Sequence, residues 1–457
     1  MNKKKGLIFL LLLSAFALLA CNLSAARATA GATFKNTAAP TSQPSPLSTS
    51  PPPASPLPTL PPTASPPPTL SPTEETPEPI EQTVCTASRS TVVLLVDPNL
   101  VSLVRDNLAR FAQDLCNDGY TAVQRISNFN TPPEARAYLA ELYERANPKL
   151  EGAIIIGDFP RAYQTVKLVS TNPDIPPTVE EVISFQYYSD LNGNFATSPD
   201  YTSPGKKEYS YDLHSGDTNW EVWIGVLPLY KGDLSQTVQG LNRYFEKNHA
   251  YRAAGSGLPR AFVEIIEHYT ATTAAETDNY LFQMSTGQFS WTPFSTAPGA
   301  RIYFDNPANG MTVDQGYADL SAGVADFTVT DTHGDWMDSG RLNITWVESN
   351  PVKTIFFWSN GCAVGNLDHP DNFLTSILYS PTSMVLIARG TTNDSGGMGN
   401  NQNGFFGHNI ATALDAGKNF GQAILSHVNV PLVSPWSKSQ EFHFASIITL
   451  GDPTLKR

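Results

Sequence analysis

Thr91-Val92-Val93-Leu94-Leu95-Val96 is an unbroken run of apolar and β-branched side chains of strand length. A half-solvated strand alternates apolar with polar residues. A run without alternation buries both faces, as in a parallel sheet covered on both sides. Working outward, Leu100, Val104, Leu108, Phe111 and Leu115 recur at helical spacing, and Gly119 stands where a helix C-terminus is capped. A strand over residues 121–126 follows, and Thr131-Pro132-Pro133-Glu134 opens a second helix with Leu139, Leu142 and Tyr143 on one face. Residues 152–157 (GAIIIG) supply a third apolar strand. This βαβαβ rhythm predicts an open, mainly parallel sheet with helices on both faces.

Residues 184–233 read differently, with aromatics, turns and short strands. Within them Asp190, Asn192 and Asn194 could offer oxygens to a structural calcium, but Gly193 falls where an EF-hand loop has no glycine, and Asn192-Gly193 reads first as a hairpin turn. A helix is expected over 234–251. RAFVEIIE (residues 260–267) then starts a second strand set, continued by apolar runs at 326–329, 354–358 and 383–388. The fold class expected is α/β: two packed three-layer subdomains with mainly parallel sheets, 85–255 and 256–457. A chain of this length suits two such units better than one small domain.

What precedes residue 85 has another character. Met1-Asn2-Lys3-Lys4-Lys5 is a short positive segment, and residues 6–20 are an apolar run too short for a membrane span, which is the pattern of a signal peptide (residues 1–20). The run ends Leu18-Leu19-Ala20-Cys21, which resembles a bacterial lipobox; that resemblance implies lipidation of Cys21 and an extracytoplasmic chain anchored to the bacterial membrane or cell surface. Of the 37 prolines, 16 fall between Pro40 and Pro79, so residues 21–84 read as a lipidated cysteine followed by a Pro/Ser/Thr-rich disordered stalk. Residues 85–457 carry 24 basic against 38 acidic groups, a net of −14. Such a balance argues against nucleic acid as a partner.

The cysteines are Cys21, Cys85, Cys116 and Cys362. With Cys21 assigned to lipid and the chain exported, Cys85 and Cys116 are the natural disulfide pair. Cys362 is then the odd thiol, either buried and inert or kept for its chemistry.

Two blocks share a layout. DFTVTDT runs into His333-Gly334, and KTIFFWSNG runs into Cys362, 29 residues after His333. Ligands bind at the C-terminal ends of parallel strands, so neighbouring strands would set the two side by side. A thiolate nucleophile needs a base within reach and N–H groups aimed at the developing oxyanion. His333 suits the base, and Gly334, lacking a Cβ, lets its N–H approach a substrate. His369, in Asp368-His369-Pro370, lies close to Cys362 in sequence and could line the cleft.

The arrangement resembles the caspase, legumain and clostripain group of cysteine peptidases, and most closely the gingipain-like family. The matching pieces come in order: IIIGDFP (154–160), Tyr-Tyr-Ser-Asp-Leu-Asn-Gly (187–193), Ile-Gly-Val-Leu-Pro (224–228), the His-Gly and Cys strand ends, and Gly-Asp-Pro-Thr-Leu (451–455). The resemblance implies a caspase-like C-terminal subdomain that hydrolyses protein or peptide substrates through a thioester, with no cofactor required. It implies Cys362 as nucleophile, His333 as general base, and Gly334 N–H with Cys362 N–H as oxyanion hole. Glu267 would orient the histidine, with Glu264 as substitute. The sequence departs from the pattern at Val226, where the family has arginine, and at Asp335 after the His-Gly. Two other readings fit a leader and stalk: a non-catalytic surface-binding lipoprotein of the same fold, and a solute-binding lipoprotein, which has no need of an odd thiol.

Overall fold

The computed structural model describes residues 80–457 apart from 127–128, 169–177, 199–206, 271–290, 306–311, 390–398 and 431–445. Eleven strands build one sheet. In chain order they are β1 (Ile80–Cys85), β2 (Thr91–Val96), β3 (Thr121–Ile126), β4 (Leu150–Ile156), β5 (Trp223–Leu227) and β6 (Phe262–Thr270). They continue as β7 (Arg301–Asp305), β8 (Phe327–Asp331), β9 (Phe356–Ser359), β10 (Val385–Arg389) and β11 (Ile447–Gly451). The spatial order is β1-β3-β2-β4-β5-β11-β10-β9-β8-β6-β7. Only β1 against β3 and β10 against β11 run antiparallel. The mainly parallel α/β architecture is thus as expected, but the two halves are joined edge to edge. The last strand, β11, is the seam, parallel to β5 and antiparallel to β10.

Every residue of β2 is buried, which is what its lack of alternation demands. Phe111, from the helix Arg105–Asn117, meets Phe245, from the helix Leu234–Ala254, at 5.2 Å between ring centroids. The second half has its own aromatic layer, in which Trp291 packs on Trp358 at 5.2 Å and Phe356 stacks on Phe420 at 5.1 Å. The seam is close-packed because Gly225 has no side chain: a Cβ there would lie 2.5 Å from Pro453 and 2.6 Å from the Gly451 carbonyl. The terminal Gly-Asp-Pro-Thr-Leu locks this joint. Buried Asp452 accepts from Asn248 Nδ2 at 2.9 Å and pairs with Arg252, while Pro453 and Leu455 carbonyls accept from the Gly421 and Phe420 N–H groups.

One boundary is corrected. Residues 80–84, assigned to the stalk, form most of β1 and pair along β3. An edge strand with four exposed residues, Ile80 to Thr83, has the surface polarity of a linker, and its order comes from the ladder it joins. The Cys85–Cys116 disulfide is present, with a Cα–Cα distance of 6.1 Å, and ties β1 to the helix Arg105–Asn117. The leader, Cys21 and the rest of the stalk lie outside the described residues.

Candidate active site

Strands β8 and β9 pair in parallel with Thr330 opposite Ser359. That register offset, 359 − 330 = 29, equals the spacing 362 − 333 = 29 between the histidine and the cysteine. His333 and Cys362 therefore stand at the same height above neighbouring strands, at the C-terminal edge of the sheet. The backbones beside them are in close approach. A Cβ on Gly334 would lie 3.1 Å from Gly361 Cα, and one on Gly361 would lie 3.3 Å from Gly334 Cα. Neither position admits a larger residue without parting the two loops. Cys362 is buried, His333 half-buried, and Ala363 directly after the cysteine has φ 54°, a left-handed turn that bends the chain away from the strand.

The loops are held from beneath by hydroxyls. Ser339, in the hairpin after the histidine, lies 3.0 Å from the Thr330 hydroxyl, 3.0 Å from that of Thr332 and 2.8 Å from that of Ser359. Ser359 in turn accepts from Gly361 N–H at 3.2 Å. All of this is buried, so the network fixes both loops against one serine. Trp336 stacks on His369 with centroids 4.3 Å apart and planes 8° from parallel, and its carbonyl accepts from Phe373 N–H at 2.8 Å. The histidine loop and the cysteine loop are thereby clamped a second time. Sequence reasoning singled out His369 but missed Trp336 and Ser339. Their only signal was position, a few residues after His333.

Ile266 on β6 is paired with Asp331 on β8, so Glu267 is level with Thr332, just below the histidine. The Glu267 carboxylate accepts from the Tyr317 hydroxyl and, at 2.9 Å, from Arg341 N–H. It packs against Gly340, whose N–H donates to the His333 carbonyl at 2.7 Å. Burial first, and the Glu267 charge second, hold the Tyr317 hydroxyl well above its ordinary pKa, so it stays a donor. Glu264 has the opposite strand parity and shares the face of Phe262 and Ile266. It is buried, its Oε2 has no hydrogen-bond partner, and burial together with the Asp331 charge pushes its carboxyl well above the usual range. The Asp338 carboxyl, in the hairpin, is lifted to about 6 by burial and by the Asp335 and Glu267 charges.

Among the described residues there is no free cysteine. The Asp190 carboxylate is committed to His214 Nε2 at 2.7 Å and Gly193 N–H at 2.6 Å, and Asn192 Nδ2 donates to Glu221 at 2.8 Å. This is a turn closed by its own side chain. Among the described residues no group of three or more His, Cys, Asp or Glu is arranged to hold a metal.

A parallel sheet that raises a His-Gly loop and a Gly-Cys loop from adjacent strand ends, under helices on both faces, is the caspase-like cysteine-peptidase fold. The pattern of peptidase family C25 matches residues 105–457, and the chain belongs to that family. Two solved structures share its fold. One is described as the Arg specific cysteine proteinase gingipain R (RgpB), 14% identical over 82% of this chain and 80% of that one, with a TM-score of 0.54. The other is a complex of the Porphyromonas gingivalis RgpB pro- and mature domains, 13% identical over 80% of this chain and 79% of that one, also with a TM-score of 0.54. No curated protein sequence matches this chain.

Proposed function

We propose that this chain is a membrane-tethered extracytoplasmic cysteine endopeptidase working through Cys362 and His333. The observation that carries the reading is the shared 29-residue offset, which sets the two residues level on β8 and β9. His333 takes the proton from the Cys362 thiol, and the thiolate attacks the scissile carbonyl carbon. The oxyanion is held by Gly334 N–H and Cys362 N–H. Collapse breaks the C–N bond, His333 gives its proton to the leaving amine, and a thioester remains. Water, deprotonated by His333, then attacks the thioester and releases the acid and the thiol. Glu267 is a positioning residue in this scheme, bracing the hairpin whose Gly340 N–H holds the His333 carbonyl. No step needs a cofactor. Lipid on Cys21 supplies the anchor.

The reaction runs on reduced Cys362. The second reading is a non-catalytic surface-binding lipoprotein of the same fold, which the low identity to the gingipain structures, 13–14%, leaves open. The two separate on one experiment: incubation of the reduced protein with a mixed peptide library, alongside Cys362→Ala and His333→Ala. The peptidase reading expects cleavage by the parent protein alone, and faster iodoacetamide inactivation of the parent than alkylation of His333→Ala. Absence of cleavage together with equal alkylation rates leaves the binding protein.

A further inference from the structure

Beside the catalytic loops, at the C-terminal ends of β4 and β5, lies a cavity of about 110 Å3 that the reaction above does not use. One wall is Val226 and Leu229 at the end of β5, another is Phe159 and Phe185, and the third is Leu367 with His369. That third wall is the continuation of the nucleophile loop. Asn366 N–H donates to the Ala363 carbonyl at 2.9 Å, and Asn372 Nδ2 donates to the Val364 and Asn366 carbonyls at 2.9 and 3.0 Å. Leu367 is therefore fixed relative to Cys362 by a hydrogen-bonded turn.

Asp368 and the tyrosine hydroxyls around the cavity are already matched, while Asp158, also in its lining, is exposed to solvent. Asp368 is paired with Arg161 at 2.8 Å and accepts from the Tyr163 hydroxyl at 2.8 Å, and the Tyr188 hydroxyl donates to the Pro160 carbonyl at 2.6 Å. An anionic guest would meet the Asp158 and Asp368 carboxylates, and a charge of either sign buried among the apolar walls would carry a desolvation cost. A dry cavity of about 150 Å3 accommodates benzene; one of about 110 Å3 fits a branched aliphatic side chain and excludes an indole. Val226 contributes to this directly, because its uncharged isopropyl group forms part of the wall.

We infer that this cavity is a subsite for an uncharged, branched aliphatic side chain of the peptide substrate, an inference that rests on the peptidase reading. The test is calorimetric titration of the full chain carrying Cys362→Ser, which needs no turnover, with acetylated pentapeptides of alanine bearing one central Leu, Arg, Asp or Phe. The Leu peptide should bind about tenfold more tightly than the Arg or Asp peptides. Val226→Arg should remove that preference, and Leu367→Ala, which enlarges the cavity without adding charge, should move it toward Phe. Equal affinity for all the peptides, or a Leu preference untouched by both variants, overturns the subsite. Leu preference without cleavage by the reduced parent protein keeps the subsite and sinks the peptidase reading. Cleavage indifferent to Leu does the reverse.

Discussion

Strands β2 and β5 lead to Asp97 and Pro228 and β4 to Gly157-Asp158, whereas β6 carries Glu267 and β8 and β9 lead to His333 and Cys362. The two sets share one sheet edge, yet the first is turned inward. The Asp97 carboxylate accepts from Asn99 N–H at 2.9 Å and Asp158 N–H at 3.3 Å; Gly157 N–H donates to the Leu227 carbonyl at 2.9 Å; the Pro228 carbonyl accepts from the Tyr379 hydroxyl at 2.5 Å. Those groups spend their hydrogen bonds on building a wall. In the other half the hydrogen bonds lie below the loops, in the Ser339 network, and the reacting residue types stand at the tips. A parallel sheet edge is thus a place where chemistry can be put, and the loop residues decide whether it is.

The largest effect should come from exchanging the two ends in an assay. Cys362→Ala or His333→Ala should each lower peptide turnover by at least about a thousandfold, and the double variant should be no worse, since residues acting as one unit are not additive. Asp97→Ala should leave turnover intact and cost about 1 kcal/mol in denaturant unfolding, the loss of a helix cap. Comparable losses of turnover at both ends would erase the distinction.

The seam between the halves is the next place to press. Asp452 is buried and paired with Arg252, so Asp452→Ala leaves a guanidinium without its main partner in the core. Such a change costs about 3–5 kcal/mol. Gly225→Ala should cost about 1–3 kcal/mol through overpacking against Pro453. Both are read as unfolding midpoints. If either left the midpoint unmoved, β11 would not be what joins the halves.

Within the second half the two glutamates sharpen the contrast by strand parity. Glu267→Gln should lower turnover by about tenfold, roughly 1.4 kcal/mol, because it loosens the hairpin that holds the histidine backbone. Glu264→Gln should leave turnover alone. Its carboxyl has a raised folded-state pKa, so its ionisation opposes folding as pH rises, and the glutamine variant should gain stability above neutral pH and none below about pH 4. Equal kinetic effects of the two would contradict the alternation.

Much of this was legible because register carries over into spacing. Buried parallel strands announce themselves as apolar runs, and two such runs with their key residues at one offset must place them level. What was not legible has physical causes too. β1 is an exposed edge strand whose order comes from β3 and the disulfide, neither of which its composition reports. β11 is apolar but short, and its meaning as a seam exists only once β5 and β10 are in place. The cavity gathers residues as distant in sequence as Arg161 and Asp368, so no local pattern could reveal it.

The smallest effect lies in the hairpin beside the histidine. Asp338 is half-buried, and its carboxyl is lifted from 3.8 to about 6 by burial, the Asp335 charge and the Glu267 charge. The native state therefore binds this proton more tightly than the unfolded chain does. The stability it contributes is fully present below about pH 3.8 and is lost as pH rises through about 6. Asp338→Asn removes that loss. After discounting for solvent screening, the variant should be about 1 kcal/mol more stable than the parent at pH 8 and equal to it at pH 4. Thermal unfolding at the two pH values measures the difference. A gain of the same size at both would mean that the amide packs better than the acid and that charge has no part in it. A loss at pH 8 would mean that the ionised carboxylate is itself holding the hairpin, and with it the histidine, in place.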